Sequence, residues 1–189
     1  NTFRIIDNTA NTGTVLVIFK EAGAAHFFRE PLHELYNESL SLEYFVSHDQ
    51  LIALEEQLSI AERGDERVNL VEQFLLSRLD HRKDDLMVIA AIEHIRLSAG
   101  NIRITDLAAQ LYTSKSPLEK RFRLAVGTTP KKFANIIRMK SALFAMQTLL
   151  TENTDYRMGH YDQAHFIHDF KNFTGTTPEQ YLKNLITEK

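Results

Sequence analysis

The stretch Leu118–Phe133, LEKRFRLAVGTTPKKF, returns at an offset of 48 positions (118 to 166) as Phe166–Tyr181, FIHDFKNFTGTTPEQY. Gly-Thr-Thr-Pro is identical in both copies, and the apolar residues keep the same intervals. In each copy two apolar side chains four positions apart predict a helix with one buried face. A glycine then ends that helix, and a proline occupies the first turn of the next one. Each copy therefore predicts a helix, a glycine stop and a second, capped helix.

The stretch Ile104–Ser114, ITDLAAQLYTS, precedes the first copy. It predicts a short helix, capped by Thr105, that buries three apolar side chains: Leu107, Ala108 and Leu111. A turn at 112–113 leads to Ser114, which caps the next helix. Two helices joined by such a turn, with polar residues exposed early in the second, form a helix-turn-helix. Helical hairpins are common in all-α proteins, so the duplication and the basic character decide this interpretation.

The N-terminal part of the chain has a different pattern. The run Thr14–Phe19 is apolar and β-branched, which predicts a buried strand whose partners lie in or before the first dozen residues. Helical periodicity begins at Ala22. The charged run Asp80–Asp85 has no apolar anchor, and we place a domain boundary there, although a solvated corner between packed helices explains it as well.

The predicted fold class is mainly α. We expect a partial α/β sensor or dimerisation domain at 1–82, a barrel remnant followed by helices. An all-α double helix-turn-helix, joined by a long central helix, is expected at 83–189.

Composition is that of a folded globular chain, with 189 residues, 43% of them apolar and 25% charged. The absence of cysteine excludes disulfides and fits a reducing cytoplasm, and no apolar run is long enough to span a membrane. The chain starts at Asn1 with neither an initiator Met nor a signal-peptide pattern, so we expect an internal fragment.

The charge is unevenly distributed along the chain. Residues 1–85 carry 8 Lys/Arg and 16 Asp/Glu, or −8, whereas residues 86–189 carry 14 and 9, or +5. This split indicates an acidic module joined to one that tolerates a polyanion, although ordinary scatter of surface charge gives the same balance.

Signatures of enzymes are absent from the sequence, which contains no Walker loop, Gly-x-Gly-x-x-Gly or Gly-x-Ser-x-Gly. The His-Glu pair at 33–34 lacks the second histidine of a zinc-protease helix. His160, His165 and His168 lie close in sequence, but a zinc site needs a further ligand or water, and His165 adjoins a predicted core residue. We therefore predict a protein that is not an enzyme and holds neither a metal nor a cofactor.

From about residue 86 to 185 the chain resembles the DNA-binding domain of the AraC/XylS family of bacterial regulators. The matching stretches are ITDLA at 104–108, LEKRF at 118–122, GHYDQAHF at 159–166, and the closing Phe-x4-Gly-x2-Pro-x2-Tyr at 170–181. The resemblance implies two helix-turn-helix units joined by a central helix at about Pro130–Leu150. Their recognition helices would enter successive major grooves on one DNA face. More weakly, residues 14–79 are similar to the end of a sensor domain, in which helices follow a β-barrel that is mostly missing here.

The same resemblance implies which side chains read DNA. The family places base-facing residues at the start and second turn of each recognition helix: Ser116, Glu119 and Lys120 in the first unit, and Gln163, Ala164 and His168 in the second, capped by Asp162. Five basic residues are candidates for phosphate contacts, which fix register without reading sequence: Lys115, Arg121, Arg123, Lys131 and Lys132. A solvated helix face explains any single one equally well, above all Arg121 and Arg123.

The second unit departs from the family's pattern. Its short first helix should lie near Thr151–Asp155, a polar stretch with no counterpart of Leu107 and Ala108. Burying such side chains without partners is costly. Either this helix is degenerate, or an apolar-rich segment is absent from the sequence between Asp155 and Tyr156, and we expect the latter.

The sequence thus predicts a transcriptional regulator that binds double-stranded DNA. RNA polymerase, a small-molecule effector at the N-terminal domain and a second copy of the chain are further candidate partners, and no membrane is expected. Two other functions stay open. One is a small-molecule sensor whose N-terminal half is the main unit, and the other is a helical interaction protein without salt-dependent DNA affinity.

Overall fold

The computed structural model describes residues 13–152 and 163–187, and these residues are mainly helical. Two 3₁₀ helices, Gly23–His26 and Leu42–Tyr44, precede the α-helices. The described α-helices are α1 (His48–Ile60), α2 (Gly64–Ser77), α3 (Leu86–Leu97), α4 (Ile104–Gln110), α5 (Lys115–Val126), α6 (Pro130–Glu152), α7 (Gln163–Thr174) and α8 (Pro178–Thr187). None of these helices is long and apolar enough to cross a membrane.

By contact, the described residues form two compact units. One unit contains residues 13–93 and 103–130, and the other contains residues 94–102, 131–152 and 163–187. In the first unit α1 packs on α2 and α4 packs on α5, and in the second α7 packs on α8. The domain boundary between residues 82 and 83 stays a prediction.

The prediction of an N-terminal α/β domain is wrong for the described residues. Thr14–Phe19 adopts no regular secondary structure, and no strand occurs within 13–152 or 163–187. Most of this apolar run is exposed, with Ile18 reaching 82%. A strand exists only through pairing with another strand, so an apolar, β-branched composition does not produce one by itself.

The predicted helix, glycine stop and second helix are confirmed in both copies of the repeat. Gly127 ends α5 with φ +81°, and its N–H donates to the Arg123 carbonyl at 3.0 Å. Gly175 follows α7 with φ +81°, and its N–H donates to the Lys171 carbonyl at 2.8 Å. Both glycines adopt the left-handed conformation that other residues avoid. In each copy the next helix begins at the proline of the repeat.

The first helix-turn-helix is confirmed with one change at its start. α4 begins at Ile104 after Arg103, so Thr105 lies in the first turn and does not cap the helix. The Thr105 hydroxyl instead donates to the neighbouring Asp106 carboxylate at 3.2 Å. Ser114 is the N-terminal cap residue of α5, as predicted, but its side chain makes no capping hydrogen bond.

Gly100 allows a close approach between the end of α3 and α6. It has φ +80°, and its N–H donates to the Ile95 carbonyl at 2.8 Å, which closes the helix end. A Cβ at this position would collide with the Ala134 carbonyl and with the Arg138 backbone nitrogen. The position is therefore restricted to glycine both by its conformation and by its lack of space.

Gly100→Ala is expected to lower the free energy of unfolding by about 2 kcal/mol or more, because the left-handed conformation alone costs an alanine roughly 1–2 kcal/mol. The clash with α6 adds to this cost. Urea denaturation measures the change. Gly64→Ala is the matched control: a Cβ there meets nothing within 4 Å, and alanine favours the helix. Equal stability changes in the two variants would contradict the role of Gly100.

Candidate nucleic-acid interface

Helix α5 presents a polar face opposite its buried face. Leu118 and Phe122 have no exposed surface. Ser116, Lys120 and Arg123 are exposed, and they share one side of the helix because residues three, four and seven positions apart lie on the same face. The predicted residues of the first unit thus lie together on the side of α5 that faces away from the core.

Two predicted residues of this helix contact each other. The Lys115 ammonium lies 3.6 Å from Glu119 Oε1, one helical turn further on. The Glu119 side chain is 30% exposed and therefore stays accessible. A carboxylate can accept a hydrogen bond from a cytosine amino group, and its ammonium neighbour offsets its repulsion of a phosphate.

The turn between α4 and α5 places a side chain that the sequence did not single out. Tyr112 has φ +52° and is 99% exposed. Its N–H donates to the Ala109 carbonyl at 3.1 Å, and the Thr113 N–H donates to the Ala108 carbonyl at 3.0 Å. The backbone of this turn is therefore fixed, while the tyrosine ring extends into solvent.

Arg121 is engaged by a carboxylate from the chain segment before α3. Its Nε and Nη2 lie 2.6 Å from Asp85 Oδ2 and 2.6 Å from Asp85 Oδ1. The same carboxylate accepts hydrogen bonds from the N–H groups of Met87 and Val88 at 3.1 and 3.2 Å, and so caps α3. A phosphate contact by Arg121 stays a prediction, and it requires the guanidinium to leave Asp85.

The pKa of Asp85 reflects these contacts. Partial burial opposes its charge, but the hydrogen bonds from Arg121 and from the two backbone N–H groups outweigh burial and hold the pKa below its ordinary value. Asp85 therefore stabilises the fold in its charged form. This stabilisation is complete above the ordinary pKa and is lost as the pH falls through the lowered one.

Residues before α1 support the back of α5. The 3₁₀ helix Gly23–His26 packs against α5. The Leu32 N–H donates to the Leu124 carbonyl at 3.2 Å, so it satisfies a backbone acceptor at the end of α5. Gly127 lies against the same residue, because a Cβ there would stand 2.9 Å from the Leu32 carbonyl oxygen. The N-terminal part of the chain thus helps to position the predicted recognition helix.

His26 links this 3₁₀ helix to the charged segment before α3. Its Nδ1 lies 3.0 Å from the Asp80 carbonyl oxygen and its Nε2 lies 2.8 Å from Asp84 Oδ1. Both partners only accept, so both ring nitrogens donate when the imidazole is protonated. The hydrogen bond to the Asp80 carbonyl, followed by that to Asp84, raises the pKa of His26 above its ordinary value. This stabilisation is complete below the ordinary pKa and is lost as the pH rises through the raised one.

The second unit repeats the arrangement of the first where it is described. α7 begins at Gln163, but the side chains of Gln163 and Ala164 lie outside the described part, as do Asp162 and the junction between residues 155 and 156. His168 is exposed, and its Nδ1 lies 3.1 Å from Asn172 Nδ2. Phe170 is fully buried, and its ring meets that of Tyr181 edge to face, with centroids 5.7 Å apart.

Sequence reasoning missed two exposed residues of α7. Ile167 and Lys171 stand at the repeat positions of Glu119 and Arg123, and both are exposed. The offset of the repeat was a signal that could have identified them. They extend the outward face of α7 with one apolar and one basic side chain.

The first turn of α6 carries two exposed lysines, Lys131 and Lys132, and no acidic residue. A helix N-terminus bears a partial positive charge and usually attracts carboxylates. Two cations at such a terminus are unfavourable for the helix alone but favourable for binding an anion such as a phosphate.

Asp85→Asn is expected to lower the free energy of unfolding by about 1–2 kcal/mol near pH 7, because it removes a charge-assisted contact to Arg121 and weakens the cap of α3. The difference from the unchanged protein should shrink as the pH falls from the ordinary pKa of an aspartate through the lowered pKa of Asp85. Urea denaturation at pH 7 and at a series of decreasing acidic pH values measures it.

Asp65→Asn is the matched control for Asp85→Asn. Asp65 also accepts two hydrogen bonds from one guanidinium, that of Arg63, at 3.0 and 2.7 Å. Both side chains are exposed, so this pair contributes little. A loss at Asp85 no larger than that at Asp65, or one independent of pH, would contradict the assignment.

Comparison with known proteins agrees with this geometry. Residues 107–184 match the family described as "Helix-turn-helix domain". The chain is 24% identical over 158 residues to the Msm operon regulatory protein of Streptococcus mutans, covering 80% of this chain and 56% of that protein. It is 27% identical over 121 residues to an uncharacterized HTH-type transcriptional regulator of Haemophilus influenzae, covering 62% of this chain and 39% of that protein. No solved structure gives a significant match.

The chain therefore spans about half the length, or less, of these two relatives. The family match at residues 107–184 covers both copies of the repeat. The resemblance predicted for the C-terminal half is confirmed, and residues 107–184 are a helix-turn-helix domain of the AraC type. The weaker similarity of residues 14–79 to a sensor domain stays a prediction.

Proposed function

We propose that this chain is a DNA-binding transcriptional regulator of the AraC type, in which α5 and α7 read base edges in successive major grooves. The observation that carries the proposal is the outward face of α5. Its exposed polar side chains lie opposite Leu118 and Phe122, which are fully buried. A recognition helix needs this arrangement, because one face must pack on the domain while the other enters the groove.

The side chains of the two helices suit the chemistry of base edges. In α5, Lys120 can donate to guanine O6 and N7, Glu119 can accept from cytosine N4, and Ser116 can do either. In α7, Gln163 suits adenine, Ala164 suits a thymine methyl group, and His168 can donate to guanine or to a phosphate. The roles of these six residues are part of the proposal.

Basic residues around the two helices would hold the phosphate backbone. Lys115, Arg123, Lys131 and Lys132 are exposed, and backbone contacts of this kind fix register without reading sequence. Arg121 can join them only by leaving Asp85. The net charge of +5 over residues 86–189 favours association with a polyanion.

Further partners belong to the proposal as well. A regulator of transcription acts through RNA polymerase, and a second copy of the chain would double the number of bases read. A small effector would fit an open groove of about 180 Å³ lined by the 3₁₀ helix at 23–26, the segment 82–85 and the C-terminal half of α5. A ligand in this groove would touch both N-terminal residues and the proposed recognition helix.

Binding to DNA selected from a random pool, measured at several salt concentrations, tests the function. With roughly 6 phosphate contacts, the logarithm of affinity should fall against the logarithm of salt concentration with a slope near −5. A scrambled DNA of the same length should bind more weakly. The absence of binding, a flat salt response or equal affinity for both DNAs would refute the proposal.

Lys120→Ala is expected to cost about 1–3 kcal/mol of binding free energy and to relax the preference at one position of the selected site. Lys20→Ala removes an exposed lysine far from α5 in sequence and should leave affinity and preference unchanged. Competition between DNAs changed one position at a time measures both effects. An equal loss of affinity for every DNA would assign Lys120 to a phosphate instead of a base.

A further inference from the structure

Tyr112 adopts a backbone conformation that is unfavourable for a residue with a side chain. Its φ of +52° lies in the left-handed region, where a residue with a Cβ is strained by roughly 1–2 kcal/mol. Glycine would fill this position without strain. Among the described residues, two others with a side chain share a positive φ: Asn37, which tolerates it well, and Ala99, which adjoins the glycine at the end of α3. Tyr112 is the bulky exception.

No packing of the Tyr112 ring compensates for this strain. The residue is 99% exposed, more than any other large apolar or aromatic residue of the described ranges. Burial of an aromatic ring would stabilise the fold, but this ring remains in water. Within residues 13–152 and 163–187, no packing of the ring offsets the cost in stability of this conformation. Strained residues of this kind cluster at active sites, ligand clamps and switch regions.

The position of Tyr112 relates this side chain to the N-terminal end of α5. It stands two residues before Ser114, which precedes α5, and three before the exposed Lys115. In a helix-turn-helix the N-terminal residues of the second helix contact the bases, so the turn before that helix lies beside the groove. Tyrosine hydroxyls are among the groups that contact DNA phosphates.

We propose that the Tyr112 hydroxyl donates a hydrogen bond to a DNA phosphate beside the bases that α5 reads. The inference rests on the proposed function and adds to it one backbone contact that sequence reasoning did not assign. Because the contact is to a phosphate, it contributes affinity without sequence preference.

Three variants test this contact on selected and scrambled DNA. Tyr112→Phe removes only the hydroxyl, and affinity should fall about three- to tenfold for both DNAs, as for the loss of one hydrogen bond. Tyr112→Gly removes the ring and the strain, so Tm should rise while affinity falls at least as much. Tyr44→Phe, at an exposed tyrosine of the 3₁₀ helix Leu42–Tyr44, is the control and should change neither.

Selected DNA with single neutral methylphosphonates identifies the phosphate. At one position the substitution should weaken binding of the unchanged protein and remove the difference from Tyr112→Phe. Unchanged affinity of Tyr112→Phe, or an altered preference at one base, would overturn the inference and leave the proposed function standing. If the unchanged protein binds neither DNA, the proposed function itself fails, and the inference fails with it.

Discussion

The left-handed glycine at a helix end is the constraint on which the described fold depends. At Gly100 and Gly127 the positive φ turns the chain, and the missing Cβ leaves room for a neighbouring backbone. At Gly127 the neighbour is Leu32, whose own N–H also binds the end of α5. Gly127 therefore ends α5, turns the chain towards α6 and leaves room for the N-terminal segment at Leu32. A side chain at Gly127 would disturb the helix end, the turn and this contact.

Electrostatic contacts hold the segment that joins the N-terminal helices to α3. Its three aspartates are all engaged: Asp80 with Arg82, Asp84 with His26 and Asp85 with Arg121. The acidic excess of the first half is thus partly used in binding positive groups of the same compact unit. Asp85 matters most among them, because it joins the start of α3 to α5 and is the least exposed of the three.

Local signals in the sequence predicted the helices of the duplicated C-terminal half well. Each copy of the repeat contains the glycine that ends its first helix and the proline at which its second helix begins. The contact between Asp85 and Arg121 joins residues 36 positions apart and leaves no periodic trace, so it could not be predicted. The prediction of a strand at 14–19 was wrong because a local signal was present without the long-range contact. The composition of this run is typical of a strand, but a strand also requires a partner strand. Exposure of Ser116, Lys120 and Arg123 followed from helical spacing, whereas the conformation of Tyr112 depends on the geometry of the turn alone.

The two proposed reading helices, α5 and α7, belong to different compact units. α5 shares its unit with residues 13–93, whereas α7 belongs to the other unit. The contacts from His26, Leu32 and Asp85 therefore bear on the helix that is proposed to read one half of a bipartite DNA site. The two copies of the repeat are alike in local design, yet the helix α5 of the first copy shares its compact unit with residues 13–93 and α7 of the second does not. A ligand or a substitution at those N-terminal residues would act within the unit that carries the first proposed reading helix.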